Sequence, residues 1–403
     1  MNWRTQMSHA GSPSPAFKET ARVGVDAAAL DALVARCHRE IDEGILPSAQ
    51  MAVALDGDVI AFETFGDAAP DSRYVIFSAT KAFVASAFWL LLGQGAASVD
   101  QRVADLIPEF GTNGKDVITI KQLLLHESGF PRAPLGPDKW GTRAQRLEQF
   151  SQWRLNWEPG TAFEYHATSA HWVIAELIER LSGTEYLSFV QTEVVDRLGL
   201  KSFRLGVPAG EQDDINDLEV RGEPPTDAEL EQLLGTPGVT LESLQGEVTE
   251  AALLGFNMPE VRALGMPAAG GISTAADVAS FYQGLLHNPG ELWDPVVLAA
   301  GTREVHGTFP DPIWKVPSNR ALGTVIAGEQ PDAALRGFGH TVSARAFGHA
   351  GAGGQIAFAD PDSGISFCYL TNGLDANMIR VGRRGSSIAG HAGRLVPRRE
   401  VEA

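Results

Sequence analysis

The stretch YVIFSATKAFVASAFWLLLGQG, residues 74–95, opens an apolar helix with Ser78 and sets a single lysine, Lys81, one turn later. Residues three apart lie on the same helical face. A serine hydroxyl at a helix start can become a nucleophile once a base removes its proton. The unpaired backbone N–H groups and the helix dipole there favour negative charge. Lys81 could be that base, because an ammonium held in an apolar pocket has a lowered pKa and neutral lysine accepts a proton. A charged Lys81 could instead lower the pKa of a neighbouring phenol and make the phenol the base. The alternative to both is a lysine that snorkels to water. No other S-x-x-K occurs in the chain, and this one falls at a sheet-to-helix junction.

Two further places carry candidate groups. In PGTAFEYHATSAHWVIAELIERLSG, residues 159–183, a Pro159-Gly160 turn leads to Tyr165 just ahead of an amphipathic helix. Tyr165 is either a phenol serving the site or a packing residue whose hydroxyl reaches water. In FGHAGAGGQIAFADP, residues 347–361, small residues crowd around His349 and a strand follows. Glycines there permit close approach of a ligand to the backbone, and an exposed N–H could pair with that of Ser78 to hold an oxyanion. The alternative is a glycine-rich bulge with an incidental histidine.

Other chemistries lack their residues. GSSIAG, residues 385–390, has Ala389 where the G-x-S-x-G elbow needs glycine. HESGF puts Phe130 where H-E-x-x-H needs its second ligand. His166 and His171 miss the i,i+4 spacing of a helical zinc pair. No G-x-x-x-x-G-K-[ST] loop is present. We expect no metal and no organic cofactor.

The elements that must position these groups can be read from periodicity. Residues 26–43 place Leu30, Leu33, Val34, Cys37 and Ile41 at helical spacing behind Asp26 as N-cap. SAQMAVALDGDVIAFETFGD alternates about an Asp56-Gly57 turn and predicts a β-hairpin. From Val103 to about residue 290 the chain reads as mainly helical. Strand patterns return in ALGTVIAGE, GGQIAFADPD and GISFCYLTNG, the last two split by a turn at Pro361–Gly364, and a helix closes the pattern. Strands at both ends with helices between them predict an α+β fold. Residues 21–77 and 300–403 would form a discontinuous sheet domain, and 78–299 a mainly helical one. Residues 208–250 are acidic, are interrupted by EPP and hold a capping-box pattern from Thr226 to Glu229. They read as a lid over the site or as a surface excursion. Residues 1–20 read as a flexible polar leader.

The chain has 403 residues, enough for a large core, and its 44% hydrophobic and 20% charged content fits a soluble globular protein. Its 32 basic and 50 acidic residues leave a formal charge of −18, which argues against nucleic acid or an anionic membrane as partner. The apolar run Ala82–Leu92 is too short to span a bilayer. The N-terminus has no basic segment followed by an apolar core, so a cytoplasmic location is expected, with Cys37 and Cys368 as buried thiols.

Taken together, the three places resemble the serine β-lactamase and penicillin-binding-protein superfamily. Within it the chain is most similar to the class C β-lactamase-like branch and the family VIII carboxylesterases. ITIKQLLLHESGFP (118–131), the block around Tyr165 and AAGGISTAADVASF (268–281) carry the likeness, which runs from about residue 26 to 375. The resemblance implies a β-lactamase/transpeptidase-like fold. It further implies Ser78 as acylated nucleophile, Lys81 as its partner in proton transfer and Tyr165 as general base and proton donor to the leaving group. The N–H groups of Ser78 and Ala352 would form the oxyanion hole. His349, Ala350 and Gly351 would occupy the place of the K-T-G triplet beside the substrate, and Trp140, Trp153 and Trp157 the acyl side.

Two departures stand out. Ala167 replaces the asparagine of Y-x-N, and H-A-G replaces K-T-G with no lysine after Lys315. A neutral imidazole and an alanine hold a substrate carboxylate far less well than lysine and a hydroxyl do. The expected activity is therefore a serine carboxylesterase on uncharged, apolar or short-chain esters, working through an acyl-enzyme on Ser78. β-Lactamase, D-peptidase or acyltransferase action on the same fold is the alternative. A catalytically silent binding relative is a remote third, because a scaffold needs none of Ser78, Lys81 and Tyr165. The sequence is silent on the natural ester and the oligomeric state.

Overall fold

Helix α1 (Ala27–Asp42) begins where Asp26 can cap it: the carboxylate accepts from the backbone N–H groups of Ala28 and Ala29. The computed structural model describes residues 24–246 and 248–397, so the expected leader lies outside the described residues. After α1, β1 (Ser48–Leu55) and β2 (Asp58–Gly66) form the hairpin, with Ala52 opposite Phe62. Asp56 and Gly57 are both left-handed, with φ of 51° and 88°, as a two-residue hairpin turn requires. β3 (Tyr74–Val75) then runs through a tight turn at Phe77–Ala79 into α2 (Thr80–Gly93).

The middle of the chain is largely helical, with short strands β4 (Arg204–Leu205), β5 (Glu219–Arg221) and β6 (Gly271–Ser273). The late strands are β7 (Val325–Ile326), β8 (Phe347–Gly348), β9 (Ile356–Asp360), β10 (Ile365–Thr371) and β11 (Gly373–Asp375). The helix Met378–Ala392 closes the pattern. Six strands form the main sheet in the order β2-β1-β10-β9-β8-β7, every pair antiparallel. Its second and third strands, β1 and β10, therefore come from opposite ends of the chain, with Ala52 facing Cys368. The strand expected from ALGTVIAGE contracts to Val325–Ile326, because Gly323 and Gly328 turn left-handed on either side, with φ of 101° and 67°.

The hairpin's alternation does not separate core from water, as a half-exposed hairpin would. Every residue of β1 is buried. One face packs with α1 and the C-terminal helix around Leu33, Met51, Val53 and Tyr369. The other packs with α2 and the helix Ala275–His287 around Ala52, Ala54 and Leu370. Buried polar groups then need partners. The Ser48 hydroxyl donates to Asn372 Oδ1 at 2.7 Å, and the Gln50 amide donates to the Ser72 carbonyl at 2.9 Å. Cys37 and Cys368 are free and buried, in the cores on opposite faces of the sheet.

α2 is buried from Thr80 to Leu92, which explains its all-round apolar sequence. Phe83 stacks between Phe203 and Phe281, with ring centroids 4.0 and 3.8 Å away. That packing anchors the helix start and carries Lys81 into the interior. Within 208–250, β5 pairs in parallel with β11, and the Thr226–Glu229 capping box forms at the head of the helix Asp227–Leu234.

Candidate active site

Ser78 is delivered by a strained turn. β3 pairs with β6, placing Val75 opposite Ile272, and the Ile76 N–H donates to Gly271 O at 2.9 Å. The Gly271 N–H in turn donates to the Thr80 hydroxyl at 2.9 Å. Between these ties Phe77 sits in the left-handed region at φ 45°, costly for a bulky residue and sustained only by its surroundings. Its buried ring stands edge-on to Phe256 at 5.4 Å. Ser78 follows, half-buried, at the mouth of α2.

Lys81 is 0% exposed, so it does not snorkel to water. Its Nζ lies 3.1 Å from Ser78 Oγ, 2.8 Å from Ala167 O and 2.9 Å from Ala268 O. Two of these acceptors are carbonyls, which can only accept. A neutral amine would give both its hydrogens to them and turn its lone pair to the Ser78 hydroxyl. An ammonium would donate to all three. The same geometry thus serves both protonation states without movement. Burial pushes the Lys81 ammonium below the ordinary lysine range, while the nearby Tyr165 oxygen opposes that shift.

Tyr165 enters from the segment after the Pro159-Gly160 turn, where the Gly160 N–H donates to Glu127 O at 2.8 Å. The Lys81 Nζ lies 5.0 Å from the centre of the Tyr165 ring. Among the described residues the buried Tyr165 hydroxyl has no partner in hydrogen-bonding geometry, yet it lies close enough to Lys81 to favour the ammonium. The ring packs on His126, with centroids 4.8 Å apart, and faces His349 at 6.0 Å. The guanidinium carbon of Arg320 lies 5.3 Å from the Tyr165 ring centre and 5.1 Å from that of Phe163.

His349 is buried, with Nδ1 2.8 Å from the Ala350 carbonyl. A carbonyl only accepts, so Nδ1 carries the proton and Nε2 keeps a lone pair, which has no partner among the described residues. Burial first, then the charges of Arg320 and Lys81, push His349 well below the usual histidine range, so the ring is neutral. Ala350 is exposed. Gly351 has a packing reason: a Cβ there would sit 2.3 Å from Ile76 O. Its absence lets the turn Ala352–Gly354 close against the Ser78 turn. No backbone carbonyl among the described residues accepts the N–H of Ser78 or Ala352.

A cavity of about 1240 Å³ opens onto Tyr165, Ala167, Ala352 and Gly353. Leu234, Val239, Leu241, Leu244 and Val248 wall one side, and Leu374, Met378 and Val381 another. Trp157 does not line that cavity: its indole N–H donates to Glu164 Oε2 at 3.3 Å and its ring stands edge-on to His166. Trp140 and Trp153 are buried in the core, each with its N–H on a backbone carbonyl. Sequence reasoning also passed over Arg320 and the carbonyls of Ala167 and Ala268. A carbonyl has no side-chain signature, and nothing in VPSNRALG marks an arginine that will stack on a distant tyrosine.

The sequence profile of the family described as Beta-lactamase matches residues 29–387. The chain belongs to the Beta-lactamase family. It is a serine hydrolase of the β-lactamase/transpeptidase fold. A curated relative is the esterase/beta-lactamase LipL of Mycobacterium tuberculosis (strain ATCC 25618 / H37Rv), 25% identical over 358 residues, which span 83% of this chain and 79% of LipL. Among solved structures, a penicillin-binding protein homolog from Caulobacter crescentus superposes with a TM-score of 0.76 at 25% identity, covering 92% of this chain and 98% of that one. A family VIII carboxylesterase superposes with a TM-score of 0.71 at 23% identity, covering 91% and 98%, and shares the fold. In this β-lactamase-family hydrolase, Ser78, Lys81, Tyr165 and His349, scattered across the sequence, come together, and of the four Tyr165 lines the cavity.

Proposed function

We propose that the chain is a serine carboxylesterase that hydrolyses uncharged, apolar or short-chain esters through an acyl-enzyme on Ser78. The observation that carries this reading is a neutral, buried His349 beside the Ser78–Lys81 contact, where a cation would be needed to hold a carboxylate. The apolar cavity walls support it, and so does the word esterase in the name of LipL.

In this mechanism Ser78 Oγ attacks the ester carbonyl carbon as its proton passes to Tyr165, which receives it as a phenolate paired with the Lys81 ammonium. The N–H groups of Ser78 and Ala352 hold the oxyanion. The tetrahedral species collapses, the C–O bond to the alcohol breaks, and Tyr165 returns the proton to the alcohol oxygen. Water then attacks the acyl-enzyme by the same route in reverse. Residues 208–250 serve as a lid through Leu234 and its neighbours.

The direct test compares kcat/KM for p-nitrophenyl butyrate with that for nitrocefin. The ester is expected to be strongly preferred, and a decisive preference for the lactam would reverse the assignment. A second reading, hydrolysis of β-lactams or D-peptides, draws on Arg320 behind Tyr165 and Lys315 on the cavity rim, two cations that a substrate carboxylate could feel.

The variant His349→Lys separates the two readings further. It places an ammonium in a buried site already near Lys81 and Arg320, so a carboxylate-bearing ester should gain relative to its neutral analogue. The expected change is a severalfold fall in the ratio of their KM values. An unchanged ratio across a panel of such esters would refute the role given to this position.

A further inference from the structure

We propose that the hollow between α1 and the C-terminal helix is a second binding site, for a phosphate-type anion. It has a volume of about 740 Å³ and does not share its lining with the catalytic cavity. Arg36 and Arg39 of α1 and Arg380, Arg383 and Arg384 of the C-terminal helix line it. In a chain with a formal charge of −18, this is a concentration of positive charge that solubility does not explain.

The carboxylates nearby do not satisfy these five groups. Glu40 takes Arg36 Nη2 at 2.9 Å and lies 3.6 Å from Arg384 Nη1. Asp375, just behind the hollow, takes both Arg380 and Arg384. Glu229 lines the hollow, but its carboxylate already caps its own helix through the N–H and hydroxyl of Thr226. Arg39 and Arg383 make no ion pair among the described residues.

Unmet donors also lie deeper. Arg36 is 6% exposed, and its Nη1 has no partner although Nε donates to Ser387 Oγ and Nη2 to Glu40. Arg384 is 2% exposed, with Nε and Nη2 likewise unpartnered. These guanidiniums leave positive charge only partly compensated beneath the hollow, where it adds to that of Arg39 and Arg383 on the rim. Helix geometry adds to the effect. The C-terminal helix puts Arg380, Arg383 and Arg384 in its first two turns, where its dipole favours anions, and has no acidic residue in its first turn. Asn377 and Ile379 at that end line the hollow.

A tetrahedral oxyanion suits donors that converge from two helices. Its several oxygens can each accept from a different guanidinium, and at neutral pH it carries up to two charges. Inorganic phosphate and the phosphoryl group of a small metabolite share this chemistry. The helix Asp227–Leu234 touches the hollow through Gln232 and Leu233 and the catalytic cavity through Leu234, so the two sites lie on either side of one helix.

The test is calorimetric titration of the full chain with sodium phosphate and, separately, glycerol 3-phosphate, in about 0.15 M NaCl to screen non-specific attraction. Saturable binding with a Kd of about 1 mM or lower is expected. The tighter of the two ligands identifies the source as free phosphate or a phosphoryl group. The double variant R39Q/R383Q alters only the exposed rim and should fold. It is expected to weaken binding at least tenfold, while R303Q, an exposed arginine outside the hollow, leaves it unchanged. Three results would each overturn the proposal: no saturable heat with either ligand, equal affinity in R39Q/R383Q, or tighter binding of succinate than of both phosphates.

Discussion

Alanine at position 78 is expected to lower ester turnover by about 10⁴-fold or more, as loss of the nucleophile does in other serine hydrolases. The effect should fall on kcat far more than on KM, because the hydroxyl acts in bond formation and not in holding the ester. The variant should remain folded. Ser78 is half-buried, and its only side-chain hydrogen bond among the described residues is with Lys81 Nζ, which keeps two carbonyl acceptors. Steady-state kinetics on p-nitrophenyl butyrate, with circular dichroism as the check on folding, measures this. A fluorophosphonate probe should label Ser78 in the wild-type chain and leave the variant unlabelled. A variant that keeps most of its activity removes the central assignment, and an unlabelled wild-type chain points to a silent binding relative.

Tyr165→Phe should cost about 10²–10⁴-fold in kcat if the phenol moves the proton. The structure makes this substitution a clean probe. Among the described residues the buried Tyr165 hydroxyl has no partner in hydrogen-bonding geometry; its removal leaves Lys81 with its two carbonyls and Ser78, and the ring keeps its packing on His126. A large loss of rate with an unchanged melting temperature would therefore report chemistry. Near-normal rates would instead make Lys81 the sole base. Its geometry allows that role, since a neutral Nζ that donates to Ala167 O and Ala268 O presents its lone pair to Ser78.

Local patterns were legible. The Asp26 cap, the Asp56-Gly57 hairpin, the strands either side of Pro361 and the Thr226–Glu229 box each depend on residues within a turn or two of one another. Spacing of that kind survives in the linear sequence because the interactions are themselves local. The burial of β1 on both faces was not legible. A strand's own pattern reports one covered face well, but not the second layer laid over it by helices from the far end of the chain.

The sequence by itself determined that a hydroxyl and an amine would share one face at the head of an apolar helix, because three residues of helix impose it. It also determined that His349-Ala350-Gly351 holds no lysine and that none follows Lys315. Only the tertiary structure decided that Lys81 would be sealed from water between two carbonyls, that Arg320 would stack on Tyr165, and that Trp157 would stand clear of the cavity. The five arginines at the second hollow met in the same way, across two helices from opposite ends of the chain. Contacts between distant segments arise from how whole faces pack, and no short stretch of residues encodes them.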